Sequence, residues 1–153
     1  MKKLAIIATK GTLDWAYPPF ILASTAAALG YEVQIFFTFY GLQLLRKELN
    51  LKVSSLGNPA MPMPMPVPVL MQALPGMESF MTMMMKKTMK AKGVAELGEL
   101  RSLCQEAEVK FIACQMTVDL FEFDTKDFIG DIEYGGAATF FEFAGESDIC
   151  LYI

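Results

Sequence analysis

The stretch VKFIACQMTVDL, residues 109–120, predicts a short buried strand that runs directly into the start of a helix. Cys114 lies at that junction. In open α/β sheets the carboxyl ends of parallel strands border the ligand crevice, and the following helix directs backbone N–H groups at it. Such a position favours the thiolate, which is the reactive form of cysteine. The alternative is that Cys114 is a small apolar core residue, as most intracellular cysteines are.

On the amino-terminal side of this stretch, the pattern predicts two consecutive strand-and-helix units. Lys3–Thr9 is a first strand, followed by a loop and a helix over Pro18–Leu29 that ends at Gly30. Glu32–Phe39, rich in Val, Ile and Phe, is a second parallel strand, and Leu42–Leu49 is a short helix.

Beyond the middle of the chain the alternation of helices and strands continues. Val94–Glu108 has leucines at helical spacing and predicts an amphipathic helix before the Cys114 strand. A short helix over Val118–Phe123, a loop, a helix over Ala137–Ala144 and a last strand over Ile149–Ile153 follow. The predicted fold is α/β, with four or five mostly parallel strands and helices on both faces.

The middle of the chain is unusually apolar, because Glu78 is the only charged residue between positions 60 and 85. The run MPMPMPVP, residues 61–68, cannot form a membrane-spanning helix, since each proline removes a donor and clashes with the preceding turn. We interpret residues 58–76 as a Pro/Met-rich arm, followed by a helix over about Met77–Lys90. An apolar surface of this length predicts contacts with other subunits or partners.

Composition limits the possible functions. A chain of 153 residues predicts one domain over 1–153, and its net charge of −4 lacks the basic stripe of a nucleic-acid binder. Three cysteines without a regular framework predict free thiols in a reducing compartment, here the cytoplasm. With no histidine, the chain has no Cys-His dyad, no Ser-His-Asp triad and no histidine-bound metal.

Other candidate positions each have two interpretations. The loop Lys10-Gly11-Thr12 is either an anion-binding turn or a structural one, and the sequence lacks the fingerprints of nucleotide loops, so no cofactor is predicted. Cys104 is either a second, resolving thiol or core, and Cys150 is predicted to be core. Met61, Met63 and Met65 could bind copper(I) through soft thioethers, although methionine serves more often in apolar interfaces.

Taken together, the order and spacing of several motifs resemble the DsrE/DsrF/DsrH-like superfamily, and within it the DsrE2/DsrE3-type proteins often labelled peroxiredoxin-family. The matching motifs are KGTLD at 10–14, AYPP at 16–19, FFTFYGL at 36–42, GNPAM at 57–61, LPGM at 74–77, MMMKK at 83–87, ACQM at 113–116 and GGAA at 135–138. The peroxiredoxin label does not follow from the residues, because no Pro and Thr precede Cys114 at the spacing of a peroxidatic loop.

The resemblance implies a flavodoxin-like three-layer fold, a homo-oligomer and a strand-end cysteine, here Cys114, that carries sulfane sulfur as a persulfide or thiosulfonate. It also implies exchange with a small TusA-like partner and, in some members, a second cysteine that Cys104 would match. Some relatives are attached to membranes, and the Pro/Met-rich arm is where such an attachment would occur without spanning the bilayer.

The sequence therefore predicts a sulfurtransferase-like carrier rather than a multiple-turnover enzyme. In this hypothesis the Cys114 thiolate takes sulfur from a donor and yields it to a partner thiol, with Gln115 and the backbone N–H groups after it stabilising the anion. Two alternatives stay open. One is a thiol redox protein in which Cys104 resolves an oxidised Cys114, and the other is a non-catalytic module that binds copper(I), a membrane or a partner through the Met-Pro arm.

Overall fold

A five-stranded parallel sheet forms the centre of the computed structural model, which describes residues 1–54 and 69–153. The strand order is β4-β3-β2-β1-β5, and all four pairings are parallel. The strands are β1 (Lys3–Ala8), β2 (Glu32–Phe37), β3 (Lys110–Cys114), β4 (Ile132–Gly135) and β5 (Ile149–Tyr152). The predicted α/β fold with a parallel sheet is confirmed.

Helices cover both faces of this sheet. Those within the described ranges are α1 (Leu13–Ala28), a 3₁₀ helix (Phe39–Leu45), α2 (Val69–Gln72), α3 (Met77–Ala91), α4 (Leu97–Glu106), α5 (Gln115–Leu120), a second 3₁₀ helix (Thr125–Asp127) and α6 (Ala137–Ala144). From β1 to β4 the chain advances across the sheet in one direction, whereas the step from β4 to β5 returns to the far edge. Because parallel crossovers are right-handed, the returning helix α6 lies on the face opposite to α1.

The core has two layers, because successive strand residues point to opposite faces. On the α1 face, Phe20, Phe37 and Phe111 pack with ring centroids 5.4–6.0 Å apart. The α6 face holds a smaller cluster: Ala5, Phe36, Ile112, Cys114 and Phe140. A helix of two turns covers the second face, so that layer is the thinner one.

The first helix starts five residues earlier than predicted, so residues 13–17, which were predicted as part of a loop over 10–17, are helical. The Leu13 N–H donates to the Lys52 carbonyl (2.8 Å), and the Asp14 carboxylate accepts the Ser54 N–H (2.8 Å). These contacts with a distant segment anchor the first turn, and Pro18 and Pro19 lie inside the helix. Lacking N–H groups, the prolines leave two carbonyls of that first turn without helical partners.

The structure differs from the predictions in four further elements. The second strand ends at Phe37, and a 3₁₀ helix replaces the α-helix predicted over 42–49. Helix α5 begins at Gln115, directly after Cys114, rather than at Val118. The residues of β4 were predicted as a loop. An edge strand pairs on one side only and can carry polar residues such as Glu133, so its sequence lacks the apolar run of a central strand.

Much of the predicted Pro/Met-rich arm, residues 58–68, lies outside the described residues, as do Met61, Met63 and Met65 of the copper(I) interpretation. The part that is described leads through α2 and a turn into the predicted Met-rich helix α3, on which Met81 is buried and Phe80 and Met83 are exposed. Among the described residues, no helix is both long and apolar enough to cross a membrane.

Candidate functional site

Cys114 is the last residue of β3 and the N-terminal cap of α5, with its side chain in the cluster on the α6 face. Directly across the strand pair lies Gly135, the last residue of β4. Val118 of α5 packs in the core of the α1 face, whereas the chain after β4 continues into α6 on the other face. The connection after β3 therefore crosses one face of the sheet, and the connection after β4 crosses the other. Open α/β sheets form their ligand crevice between two such strands, and Cys114 lies at that point.

Two threonines surround the Cys114 sulfur. The Thr117 hydroxyl accepts the Phe39 N–H (3.2 Å) and lies 3.3 Å from the Thr38 hydroxyl. Burial of Cys114, which is 4% exposed, would by itself raise the thiol pKa. Hydrogen bonds from the hydroxyl and N–H of Thr117, the Thr38 hydroxyl and the Met116 N–H outweigh that effect, so the Cys114 pKa lies below its usual value. The site therefore stabilises a thiolate without histidine.

Neither threonine was found from the sequence. Thr38 follows the end of β2, so the same strand-end rule that identified Cys114 also applies to it. Thr117 comes three residues after Cys114, at the third position of α5. Their hydroxyl oxygens, 3.3 Å apart, come from segments 79 residues apart in sequence, and no local pattern indicates such a contact.

Cys104 lies away from Cys114. It is fully buried in the core of the α1 face, where its S–H donates to the Phe20 carbonyl (3.3 Å). Burial raises the pKa of this thiol to about 12. The two cysteines thus occupy opposite faces of the sheet, and the structure does not bring the predicted second thiol to the first.

The loop Lys10-Gly11-Thr12 lies at the carboxyl end of β1, and β2 separates it from β3. The Lys10 ammonium stands 3.6 Å from the centroid of the Trp15 ring. A Cβ at Gly11 would lie 2.5 Å from the Tyr40 carbonyl oxygen, so close packing against the first 3₁₀ helix explains this glycine. The Thr12 hydroxyl is buried and has no hydrogen-bond partner among the described residues.

Gln115 follows Cys114 on the surface, where its side-chain amide donates to the Asp119 carboxylate (2.9 Å). The amide that was predicted to stabilise an anion at Cys114 is therefore engaged on its own helix.

Cys150 is exposed, so the prediction that it is a core residue was wrong. It lies in the edge strand β5, on the face covered by the short helix α6.

Comparison with known proteins agrees with this architecture. Residues 1–152 match the sequence profile of the DsrE/DsrF/DrsH-like family. The chain belongs to this DsrE-like family. A relative from Allochromatium vinosum named "Sulfur carrier protein DsrE2" is 74% identical, with 99% of this chain and 98% of the relative aligned. The protein YrkE of Bacillus subtilis is 34% identical, with coverages of 99% and 97%.

Solved structures with little sequence identity share the fold. The YchN protein of E. coli superimposes with a TM-score of 0.56 at 12% identity, and both chains are covered completely. The MTH1491 protein of Methanobacterium thermoautotrophicum gives a TM-score of 0.56 at 11% identity, with 99% of each chain covered. The predicted family and its flavodoxin-like fold are thus confirmed for this DsrE-like chain.

The Thr117 hydroxyl of this DsrE-like protein gives a first testable prediction. Thr117→Val keeps the side-chain shape and removes the hydroxyl, which donates to the thiolate and accepts the Phe39 N–H. Because a hydrogen bond to a charged group contributes roughly 1.5–3 kcal/mol, we expect alkylation of Cys114 by iodoacetamide to slow about tenfold at neutral pH. The rate-versus-pH curve should move to higher pH, because the thiol pKa rises.

The measurement uses a Cys150→Ser background, so that the exposed second thiol does not contribute. Thr117→Ser retains the hydroxyl and should react like the parent protein. If Thr117→Val reacted at the parental rate at every pH, the hydroxyl would not stabilise the thiolate.

Proposed function

We propose that this protein is a sulfur carrier that holds sulfane sulfur on Cys114 and passes it to the thiol of a partner protein of the TusA-like kind. The observation that carries the proposal is the place of Cys114, buried at the end of β3 and paired with Gly135 of β4. Hydrogen bonds from Thr117, Thr38 and Met116, which lower the pKa of this thiol, support it. The name of the Allochromatium vinosum relative, "Sulfur carrier protein DsrE2", supports the same role.

The proposed chemistry is thiol exchange. The Cys114 thiolate attacks the outer sulfur of a donor persulfide, forms a new S–S bond and releases the donor thiolate, so no net oxidation or reduction occurs. With tetrathionate, attack on an inner sulfur releases thiosulfate and leaves a thiosulfonate on Cys114. Attack is efficient when the thiol pKa lies near ambient pH, and a lowered Cys114 pKa moves it in that direction.

Burial suits storage of the product. A sulfur bound to Cys114 lies in a cluster with Phe36, Ile112 and Phe140, which limits the access of bulk solvent and of small thiols. Release then requires an acceptor that reaches the carboxyl edge of the sheet. This behaviour fits a carrier, which must not lose its cargo before it meets its partner.

A redox function that uses both cysteines is less well supported. Cys104 would have to leave the core on the α1 face, break its bond to Phe20 and cross the sheet to resolve an oxidised Cys114. Its pKa of about 12 also leaves very little thiolate at neutral pH.

We also propose that the protein assembles as a homo-oligomer and works in a reducing compartment. The face covered by the short helix α6 leaves Phe141 and Tyr152 exposed, and a second subunit could cover them.

The test is to incubate the purified protein with polysulfide, thiosulfate or tetrathionate, record its intact mass and map the adduct by proteolysis. We expect the mass of one or more sulfur atoms, or of a thiosulfonate, on the peptide that contains Cys114. A second incubation with a thiol protein should remove the adduct and transfer its sulfur. An adduct confined to Cys150, or oxygen-only adducts with a Cys104–Cys114 crosslink, would contradict the proposal.

A further inference from the structure

Three aromatic side chains, Phe39, Tyr40 and Phe121, form an exposed cluster next to Thr117, which we call the aromatic patch. The Tyr40 and Phe121 rings stack at 5.7 Å, and Phe39 meets Phe121 edge-on at 6.1 Å. They are 43%, 63% and 36% exposed, and Met116 and Leu120 of α5 are also exposed. Single exposed apolar residues are common, but a contiguous group of this kind marks an interaction surface.

The aromatic patch is joined directly to the residue that hydrogen-bonds the thiol. The Phe39 N–H donates to the Thr117 hydroxyl (3.2 Å), and the Phe121 N–H donates to the Thr117 carbonyl (3.0 Å). Phe39 has a φ of 49°, in the left-handed region that bulky residues rarely adopt. The strained backbone places an aromatic ring at the surface, immediately after the strand-end residue Thr38.

The segment that carries Phe121 is acidic. From Gln115 to Asp124 the chain carries three exposed carboxylates, Asp119, Glu122 and Asp124, and no Lys or Arg. The Arg46 guanidinium lies over the Phe123 ring at 5.2 Å, and the first basic residue after Asp124 is Lys126. The Lys10 ammonium is held over Trp15. An apolar centre with an acidic rim is complementary to a basic surface that has an apolar centre.

We propose that the aromatic patch is the docking surface for the sulfur-accepting protein, and that this partner presents its reactive cysteine on a basic surface with an apolar centre. The inference rests on the proposed function, because only sulfur transfer requires a foreign thiol at this edge of the sheet. Docking brings the partner's thiol to the buried Cys114 and excludes water from the exchange.

A second copy of this chain does not meet these requirements. Two acidic rims repel each other, which disfavours pairing of one aromatic patch with another. The lysine-rich end of α3, with Lys86, Lys87 and Lys90, matches the charge but contains no cysteine to accept sulfur.

The transfer step balances without an oxidant. The partner's thiolate attacks the outer sulfur of the Cys114 persulfide, a new S–S bond forms on the partner, and the S–S bond on Cys114 breaks. The Cys114 thiolate leaves and is received by the Thr117 and Thr38 hydroxyls, while the proton of the persulfide stays with the transferred sulfur.

The test uses two short peptides as acceptors, each with one cysteine between leucines, one flanked by lysines and the other by glutamates. The protein is loaded with polysulfide at high salt, desalted and mixed with each peptide at low salt, and transferred sulfur is followed by mass. We expect the basic peptide to accept sulfur at least about tenfold faster than the acidic one, with the difference shrinking as salt is raised.

Reversing the rim charges should remove that preference. In Asp119→Lys/Glu122→Lys the ratio of the two rates should fall to about one or invert, since the attraction becomes repulsion. The matched control is Glu99→Lys/Glu106→Lys on α4, which changes the net charge equally at two exposed positions outside the acidic segment 115–124. Comparing ratios between proteins removes the intrinsic difference in reactivity between the peptides.

The aromatic residues are tested separately. Tyr40→Ala should load normally and transfer more slowly to the basic peptide, because the apolar centre shrinks. An unchanged ratio in the rim variant, or an equal change in the α4 control, would overturn the docking proposal alone. Loss of an oligomer in Tyr40→Ala would show that the aromatic patch joins copies of the chain, and would also overturn it. Failure of Cys114 to load in the parent protein would overturn both this proposal and the sulfur-carrier function.

Discussion

Cys114→Ser is expected to abolish every sulfur adduct except one on the exposed Cys150. A serine hydroxyl is not ionised at neutral pH and cannot form the S–S bond on which the proposed transfer depends. The threonine donors, the backbone N–H groups and the packing with Phe36 and Phe140 stay in place, so the variant should fold. Intact mass after polysulfide and tetrathionate treatment measures the loss.

Cys150→Ser is the matched control, because Cys150 is the other cysteine that is not fully buried. It should load like the parent protein, apart from any adduct on the exposed thiol. The Cys114→Ser protein should keep the far-ultraviolet circular dichroism of the parent, which excludes unfolding as the cause. A Cys114→Ser/Cys150→Ser protein that still gained sulfur would leave only the buried Cys104 as acceptor and would refute the assignment.

Gly41→Ala is expected to destabilise the fold by about 3 kcal/mol or more, which is the upper range for overpacking a well-packed site. A Cβ at Gly41 would overlap the Ala8 carbonyl oxygen and lie 2.7 Å from the carbonyl carbon. Both are backbone atoms at the end of β1, and the Ala8 carbonyl oxygen also accepts the Thr38 N–H (3.1 Å). Neither β1 nor the segment around Gly41 can therefore move without breaking backbone hydrogen bonds. The methyl group would displace the first 3₁₀ helix and, with it, Thr38 and Phe39.

Urea unfolding measures this effect as a lower midpoint at an unchanged slope, at one fixed protein concentration. Gly98→Ala in α4 is the control, because nothing lies within 4 Å of the added methyl group. That change should stabilise the protein by roughly 0.5–1 kcal/mol, since alanine favours a helix over glycine. If Gly41→Ala were as stable as the parent, the close approach to Ala8 would not constrain the site.

The sequence predicts the location of the candidate thiol well, because that location depends on local signals. The apolar run before Cys114 identifies β3, and Gly135-Gly136 marks the start of α6. The same local rules fail where distant contacts decide the structure. Helix α1 starts at Leu13 because residues 52–54 bind its first turn. The sequence does not indicate this start, since Pro18 and Pro19 are typical of the first turn of a helix.

The chemistry of the site was harder to predict than its position. The Cys114 pKa depends on Thr38 and Thr117, which meet only after β2 and β3 have paired. Exposure of Cys150 depends on the length of α6 and on the place of β5 at the sheet edge, although Ile149 and Leu151 give it an apolar context. Burial of a strand residue is a property of the assembled layers and not of its neighbours in sequence.

The separation of the three cysteines has a consequence for how long cargo stays bound. Cys104 faces the other side of the sheet, and Cys150 is three strands away from β3, roughly 14 Å at the usual strand spacing. A loaded Cys114 therefore has no neighbouring thiol that could discharge it by forming an internal disulfide. Unloading needs an encounter with another molecule. The fraction of the protein that carries sulfur on Cys114 would therefore follow the balance between the supply of sulfur donors and the supply of acceptors.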